Sequence, residues 1–209
     1  MPFANYTTVG EVAHAYQINV RRRDFVESVP VALSDHFRAE LALTLGEVAY
    51  DSSKPAVCET LIYPLLREVW KSYREHLTVW SHRAIHYDAD LCGVVDYVVA
   101  RRSPLGPIVP DAAYLMIVEA KKDDFPRGWG HCLAAMLAVQ KLSTTPGQVV
   151  YGISTNGLGW QFGLLDGDNY TQDANVYTLK DLDTLAAAIS FAMSRCVQEA
   201  ARQPALAGY

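Results

Sequence analysis

The stretch YLMIVEAKK, residues 114–122, decides the fold of this chain. Its run of apolar residues predicts a strand that is buried on both faces, and this strand then ends abruptly in charged residues. Because side chains alternate along a strand, Glu119 and Lys121 point to the same side of the sheet. A strand whose end simply reaches solvent gives the same pattern. The neighbouring sequence is therefore needed to distinguish an exposed strand end from a functional site.

The stretch before it, DLCGVVDYVVARR over residues 90–102, carries an acidic residue inside an apolar run. Asp96 is costly to bury there unless it is paired or bound to a cation. One interpretation is a salt bridge to Arg101 or Arg102. The other is a carboxylate pair with Glu119 on the adjacent strand. Such a pair needs a cation, and hard oxygen ligands suit Mg²⁺ or Mn²⁺.

Composition limits the class of protein. The chain has 209 residues, of which 50% are hydrophobic and 20% are charged, so it can bury an ordinary core. Disorder and coiled coil are therefore not expected. The formal net charge of −5 excludes a histone-like polycation. Any contact with nucleic acid then needs a local basic patch or metal ions.

The cysteines and the apolar stretches predict a compartment. The four cysteines are scattered and show no C-x-x-C spacing, which zinc and iron–sulfur sites commonly use. No apolar stretch approaches the roughly 18 residues that span a bilayer. Residues 1–10 lack the pattern of a signal peptide. We therefore expect a reduced, cytoplasmic protein with no membrane partner.

The first part of the chain reads as helical. Residues 1–55 are predicted to be an N-terminal helical extension that packs on the core, with helices at 9–18 and 34–48. A longer helix is expected at 56–76. Pro64 lies inside this helix and predicts an irregularity, because proline removes a helical hydrogen bond.

The second part, residues 56–209, is predicted to be one α/β domain with a mixed sheet flanked by helices. After its opening helix we expect three strands, a helix, a hairpin turning at Asn156-Gly157, and a last helix. The predicted strands are 77–87, 92–100, 114–119, 149–154 and 160–165, and the predicted helices are 129–142 and 179–202.

The combination of Asp96 with Glu119-x-Lys121 resembles the PD-(D/E)XK nuclease superfamily, which has the restriction endonuclease-like fold. The stretch CETLIYPLLREVW, residues 58–70, resembles the opening helix of that fold. The stretch GISTNGLGWQFGLL, residues 152–165, resembles its later strand–turn–strand. The proline of the superfamily's name is absent, since Val95 precedes Asp96. Strings within residues 61–142 also resemble a group of small bacterial proteins of this fold.

The resemblance implies further site residues on two helices. A glutamate near the start of the opening helix joins the metal site in relatives, and Glu59 holds that position. Glu68 competes with it, but Glu59 shares one face with Ile62 and Tyr63, and the motif also favours Glu59. Gln140 lies on the helix after the Glu-x-Lys strand, where relatives carry a glutamine that points at the site.

The activity implied by the resemblance is a magnesium- or manganese-dependent nuclease that acts on DNA. Asp96, Glu119 and the backbone carbonyl of Ala120 would bind the metal, and Lys121 would position the attacking water. Glu59 and Gln140 would complete the catalytic set. The alternative is a non-catalytic binding or regulatory module that keeps the nuclease fold.

Substrate contacts are expected from basic side chains near the site. The predicted set is Arg101, Arg102, Lys122 and Arg127, with the arginines at 21–23 and the Trp129 ring as further candidates. The net acidity argues against strong non-specific binding. It favours a weak binder, a homodimer with a local basic cleft, or recruitment by a partner.

Overall fold

The structure is a computed structural model that describes residues 2–106, 108–109, 111, 113–122 and 124–202. Within these residues the chain forms an α/β fold, with an eight-stranded mixed sheet flanked by helices. None of the helices in the described ranges is long and apolar enough to cross a lipid bilayer. Of the predicted second part, residues 203–209 lie outside the described residues.

The sheet runs in the order β1-β7-β6-β5-β4-β3-β2, and a short strand β8 pairs with β6. Its strands are β1 (Asn19–Arg22), β2 (Leu77–His86), β3 (Cys92–Arg101), β4 (Tyr114–Ala120), β5 (Val149–Thr155), β6 (Gly159–Asp166), β7 (Asn169–Gln172) and β8 (Tyr177–Thr178).

The helices lie on both faces of this sheet. They are α1 (Val9–Tyr16), α2 (Asp35–Glu47), α3 (Lys54–Val57), α4 (Tyr63–Trp70), α5 (Phe125–Leu142) and α6 (Leu182–Arg202), with short 3-10 turns at Pro2–Asn5 and Lys71–Tyr73.

The centre of the sheet follows from the apolar strands. β2, β3 and β4 form an antiparallel meander, and α5 then crosses over so that β5 pairs parallel to β4. All of β4 except Tyr114 is buried, as its apolar run predicts. α5 packs on one face against Val98 and Ile117, and α4 and α6 cover the other face around Val99.

Close packing of α5 depends on a small residue in β5. A side chain at Gly152 would place its Cβ 2.4 Å from Met136 Sδ and 3.1 Å from Cys132 Sγ. The helix can therefore approach the sheet closely only because position 152 carries no side chain. This approach brings the start of α5 over the ends of β4 and β5.

The predicted irregularity before Pro64 is confirmed. A π-helical turn at Cys58–Ile62 joins α3 to α4, immediately before the proline. Pro64 has no N–H to donate to the preceding turn, so the helix widens there instead of breaking. The Thr60 hydroxyl donates to the Ala56 carbonyl at 2.6 Å within the same segment.

Most predicted elements are confirmed to within a few residues, including the β5–β6 hairpin through Asn156-Gly157. The predicted helix at 129–142 begins earlier, at Phe125, with Asp124 as its N-cap. The strands β1, β7 and β8 were not predicted from the sequence, and they are only two to four residues long.

Candidate active site

The strand register brings the two predicted carboxylates together. β3 and β4 pair Tyr97 with Val118, so the next position along places Asp96 across from Glu119. Directly opposed residues of an antiparallel pair share one face of the sheet. The backbone N–H of Ala120 donates to Asp96 Oδ2 at 2.8 Å, which fixes the orientation of this carboxylate.

A lysine that the sequence analysis did not single out lies between these carboxylates. Lys54 Nζ is 2.8 Å from Asp96 Oδ2 and 3.5 Å from Glu119 Oε1. It is the first residue of α3, whose N-cap is Ser53. Lys54 therefore comes from the predicted N-terminal extension and supplies the cation that the carboxylate pair requires.

Two further basic side chains approach Glu119. Lys121 Nζ lies 3.2 Å from Glu119 Oε1, so Glu119 and Lys121 meet on one side of the strand as predicted. His131 Nδ1, on the first half of α5, lies 2.9 Å from the same oxygen. This contact could not be predicted from the sequence, because the approach of His131 depends on how α5 docks.

Glu119 is fully buried, and its Oε2 has no partner among the described residues. Neither carboxylate oxygen makes a hydrogen bond of acceptable geometry within the described part of the chain, although three basic groups lie at ion-pair distance. Buried carboxylates are normally hydrogen-bonded, and an exception needs an explanation. Oε2 is therefore available to a ligand, whereas Oε1 is shared with the basic groups.

Ser154 extends the polar cluster onto β5. It pairs with Glu119 in the parallel register, and its buried Oγ has no hydrogen-bond partner among the described residues. A Cβ at Gly128 would lie 2.4 Å from this Oγ. The absence of a side chain at position 128 thus lets the first turn of α5 close over the carboxylates.

The pKa values of the two carboxylates shift in opposite directions. Burial, together with the charge of Glu119, raises the pKa of Asp96 despite the nearby Lys54. Burial also raises the pKa of Glu119, but His131, Lys54 and Lys121 outweigh it and bring that pKa below its ordinary value. The pKa of Lys54 is raised, because the two carboxylates outweigh its own desolvation. The cluster thus favours a charged Glu119 beside a cation.

A recess opens beside the cluster. It has a volume of about 250 Å³, and its basic lining residues include Lys121, Lys122, Arg127 and His131. Two of the four predicted substrate-contact residues, Lys122 and Arg127, therefore line the recess beside the cluster. Tyr6 contributes to the wall from the N-terminal region.

Gln140 does not reach the site, so its predicted placement is wrong. It follows His131 by nine residues on α5, which corresponds to about 13 Å along the helix axis. Its side-chain amide lies against the backbone of Gln148 and Gly167, at the far end of the helix. His131 occupies the position that Gln140 was expected to fill.

Neither candidate glutamate of the opening helix touches the carboxylate pair. Glu59 is exposed and lines a groove between α2 and α4, because it follows Cys58, which faces the sheet. Glu68 is buried, but it accepts a hydrogen bond from the Ser34 backbone N–H at 2.9 Å and pairs with Lys71. The continuous helical segment that begins at α3 instead places Lys54 at the site.

Arg101 and Arg102 lie at the wrong end of the sheet for the predicted role. Arg101 follows Asp96 by five residues, or about 16 Å along the strand. It pairs with Asp111 at 2.8 Å, so the predicted alternative of an Asp96–Arg101 salt bridge is also wrong. Arg102 donates to the carbonyl of Arg74.

The remaining candidates for substrate contact also lie elsewhere. The arginines at 21–23 are on or beside β1, the edge strand, which three other strands separate from β4. Trp129 is buried, its indole N–H donates to Gln161 Oε1 at 2.7 Å, and its ring packs edge-on against Tyr170. Its ring is therefore part of the core and unavailable for stacking on a base.

The oxygen donors available to a metal ion at this site are two carboxylates and one backbone carbonyl. Across the described ranges, no three His, Cys, Asp or Glu side chains are grouped so as to hold a metal. Asp96 and Glu119 supply two carboxylates. Lys121 N–H donates to Thr155 O, so alternation turns the carbonyl of Ala120 toward β3 and Asp96. Mg²⁺ is commonly held by one or two carboxylates with water and phosphate completing its shell.

No protein-family model matches the chain, and no curated protein matches its sequence significantly. The function therefore has to be inferred from the geometry of the site. The site combines a carboxylate pair, three basic side chains around it and a basic recess beside it. Such groups can bind a cation and an anion side by side, which is the requirement for chemistry on a phosphate ester.

Proposed function

We propose that this protein is a magnesium- or manganese-dependent nuclease of the restriction endonuclease-like fold that hydrolyses phosphodiester bonds in DNA. The observation that carries this proposal is the pairing of Asp96 with a fully buried Glu119 whose Oε2 has no partner among the described residues, with Lys121 beside them. This arrangement lies at the edge of a recess with a basic lining.

The order of elements supports the proposed fold. A helix that begins at Lys54 precedes the strand with Asp96 and the strand with Glu119 and Lys121. A crossover helix and a hairpin follow. This is the order that the resemblance to PD-(D/E)XK nucleases implies. Fold alone does not give activity, so the proposal depends on the site.

The residues present fit a hard divalent cation. Asp96, Glu119 and the Ala120 carbonyl would hold it, and the unpartnered Oε2 of Glu119 is the strongest indication of such a ligand. A bound Mg²⁺ would lower the pKa of a water and neutralise charge on the scissile phosphate.

The other side chains have separate roles in the proposed reaction. Lys121, a quarter exposed, reaches from Glu119 toward the recess, where its ammonium group can orient the attacking water or stabilise developing negative charge. Lys122 and Arg127 bind the flanking phosphates. The attacking water loses a proton to solvent as its oxygen bonds to phosphorus, the bond from phosphorus to one ester oxygen breaks, and the leaving oxygen takes a proton from solvent.

A second candidate function rests on Lys54. Because its ammonium group lies against both carboxylates and that of Lys121 lies against Glu119, two positive charges balance the pair without any metal. A non-catalytic module that binds nucleic acid or a partner through the basic recess would need nothing more. This candidate predicts binding without cleavage.

Cleavage assays distinguish the two functions. Supercoiled plasmid, single-stranded DNA and single-stranded RNA are incubated with the protein and Mg²⁺ or Mn²⁺, and the wild type is compared with Lys121→Ala and Glu119→Gln. Lys180→Ala is the matched control, since Lys180 is exposed and lies outside the site. The proposal expects metal-dependent DNA cleavage by the wild type and the control, and its loss in both site variants. Absence of cleavage in the wild type, or equal cleavage by Lys121→Ala, would overturn it, and cleavage of RNA alone would overturn the choice of DNA.

A further inference from the structure

We propose that Lys54 is a built-in competitor of the metal: its ammonium group holds the cation position between Asp96 and Glu119, and a divalent cation binds by displacing it. The inference rests on the proposed function, because it assumes that the carboxylate pair binds a metal. It adds a regulatory contact within that site.

The geometry makes the two cations mutually exclusive. Lys54 Nζ lies 2.8 Å from Asp96 Oδ2 and 3.5 Å from Glu119 Oε1. An ion bound to both carboxylates would share these oxygens and would lie against the ammonium group. Two positive charges at such a distance in a buried site repel strongly. Lys54 therefore has to leave its position before a metal can bridge the pair.

Among the described contacts, only Lys54 touches both carboxylates. Lys121 and His131 approach Glu119 Oε1 and make no contact with Asp96. A metal that bridges the pair therefore takes the place of Lys54, whereas Lys121 and His131 border it only on the Glu119 side. Competition is expected to be strongest for Lys54.

The side chain of Lys54 can withdraw without unfolding its helix. It is 37% exposed, whereas the Asp96 and Glu119 side chains are 8% and 1% exposed. The backbone next to it is anchored separately, because Cys58, one turn later, is buried and its carbonyl accepts a hydrogen bond from the Tyr97 hydroxyl at 3.0 Å. Rotation of the lysine stem toward solvent is therefore sufficient to open the cation position.

Calorimetric titration with Mn²⁺, in the absence of nucleic acid, tests the inference. Lys54→Met keeps the length of the stem and removes the charge. If Lys54 holds the cation position at least nine-tenths of the time, this variant binds Mn²⁺ at least about tenfold more tightly than the wild type. The matched control is Lys71→Met, which removes the lysine beside another buried carboxylate, Glu68, and should bind like the wild type.

A second variant and a second readout keep the test decisive. Lys54→Arg retains the positive charge and should bind Mn²⁺ more weakly than Lys54→Met. The thermal midpoint of Lys54→Met should be lower than that of the wild type without metal, and Mn²⁺ should raise it more than it raises the wild-type midpoint.

The outcomes separate this inference from the proposed function. Mn²⁺ binding by the wild type with equal or weaker binding by Lys54→Met would overturn the competitor role and leave the metal site intact. If Lys54→Met is too unstable to study, Mn²⁺ binding by Lys54→Arg that is tenfold or more tighter than wild type would also overturn it. No binding by the wild type or either variant would overturn the metal site itself.

Discussion

Two buried glutamates of this molecule are surrounded in different ways. Glu68, at the junction of α2 and α4, accepts a hydrogen bond from the Ser34 backbone N–H and pairs with Lys71. Glu119, at the end of β4, has basic groups around it but no hydrogen bond of acceptable geometry within the described residues. It also lies beside a second carboxylate, Asp96. Hydrogen bonds thus compensate for the burial of Glu68, whereas the burial of Glu119 is compensated only by nearby charges.

The difference indicates which carboxylate is structural. Burial raises the pKa of Glu68, but the hydrogen bonds from Lys71 and Ser34 outweigh it, so the folded state holds this group below its ordinary pKa. The pKa of Asp96, in the other region, is raised by burial and by Glu119. The Glu68 region contributes to stability. The raised pKa of Asp96 costs stability at neutral pH, as is common where a site is reserved for a ligand.

The largest expected effect is on the cleavage rate, which should depend on Glu119 and not on Glu68. Glu119→Gln should reduce metal-dependent cleavage by more than about a hundredfold, since it removes a proposed metal ligand. Glu68→Gln should leave the cleavage rate within about threefold of wild type, because Glu68 contacts no residue of the site. Initial rates on plasmid DNA measure both. Similar losses in the two variants would remove the functional distinction between the regions.

The next largest effect is the loss of stability expected when Glu68 is replaced. Glu68→Gln should lower the free energy of unfolding by about 1–3 kcal/mol at pH 7, because it weakens a buried, charge-assisted contact that fixes the start of α2. Urea unfolding followed by circular dichroism measures the change, with Lys180→Ala as a surface control. An unchanged midpoint would show that the Glu68 contacts contribute nothing to the fold.

The effect of Glu68 should depend on pH in a defined direction. A carboxylate whose pKa is lowered on folding contributes stability above its unfolded pKa and loses it as the pH falls through the folded pKa. The destabilisation by Glu68→Gln is therefore present at pH 7 and disappears well below pH 4.5, the ordinary value for this group. A constant difference between pH 7 and pH 3 would contradict the lowered pKa.

Asp96→Asn should change the free energy of unfolding in the opposite direction from Glu68→Gln. The charged form of Asp96 is disfavoured in the folded state, so a neutral asparagine should raise the free energy of unfolding of the metal-free protein at pH 7 by about 0.5–1.5 kcal/mol. The gain should vanish below about pH 4, where the wild-type side chain is itself protonated in both states. Urea unfolding at both pH values checks this, and a less stable Asp96→Asn at pH 7 would contradict it.

The smallest effect concerns Gln140, at the far end of α5 from the site. Gln140→Ala should change the cleavage rate by less than about twofold and the free energy of unfolding by less than about 1 kcal/mol. The same rate and urea measurements suffice. A tenfold loss of activity at unchanged stability would place Gln140 back in the catalytic set.

The parts of the site that follow from strand periodicity could be predicted from the sequence. The apolar run before Glu119 identified a buried strand, and Asp96 in the preceding strand identified its partner, because strand register needs only alternation and a hairpin-like order. The edge strands β1 and β7 could not be predicted, since four residues carry too little pattern.

The contacts made by docked helices could not be derived in this way. Lys54 and His131 reach the carboxylates only because α3 and α5 pack at particular heights on the sheet, which no local pattern encodes. The same reason explains the wrong placement of Gln140, which is nine residues beyond His131 on one helix. Arg101 was misplaced because β3 carries it away from the carboxylate end of the sheet.

Anomalous diffraction from crystals soaked in Mn²⁺ tests the central claim most directly. We predict one strong peak bridging Asp96 and Glu119, with the Lys54 side chain turned away, and no such peak in Glu119→Gln crystals. An empty carboxylate pair at saturating Mn²⁺, with Lys54 still in place, would contradict the account.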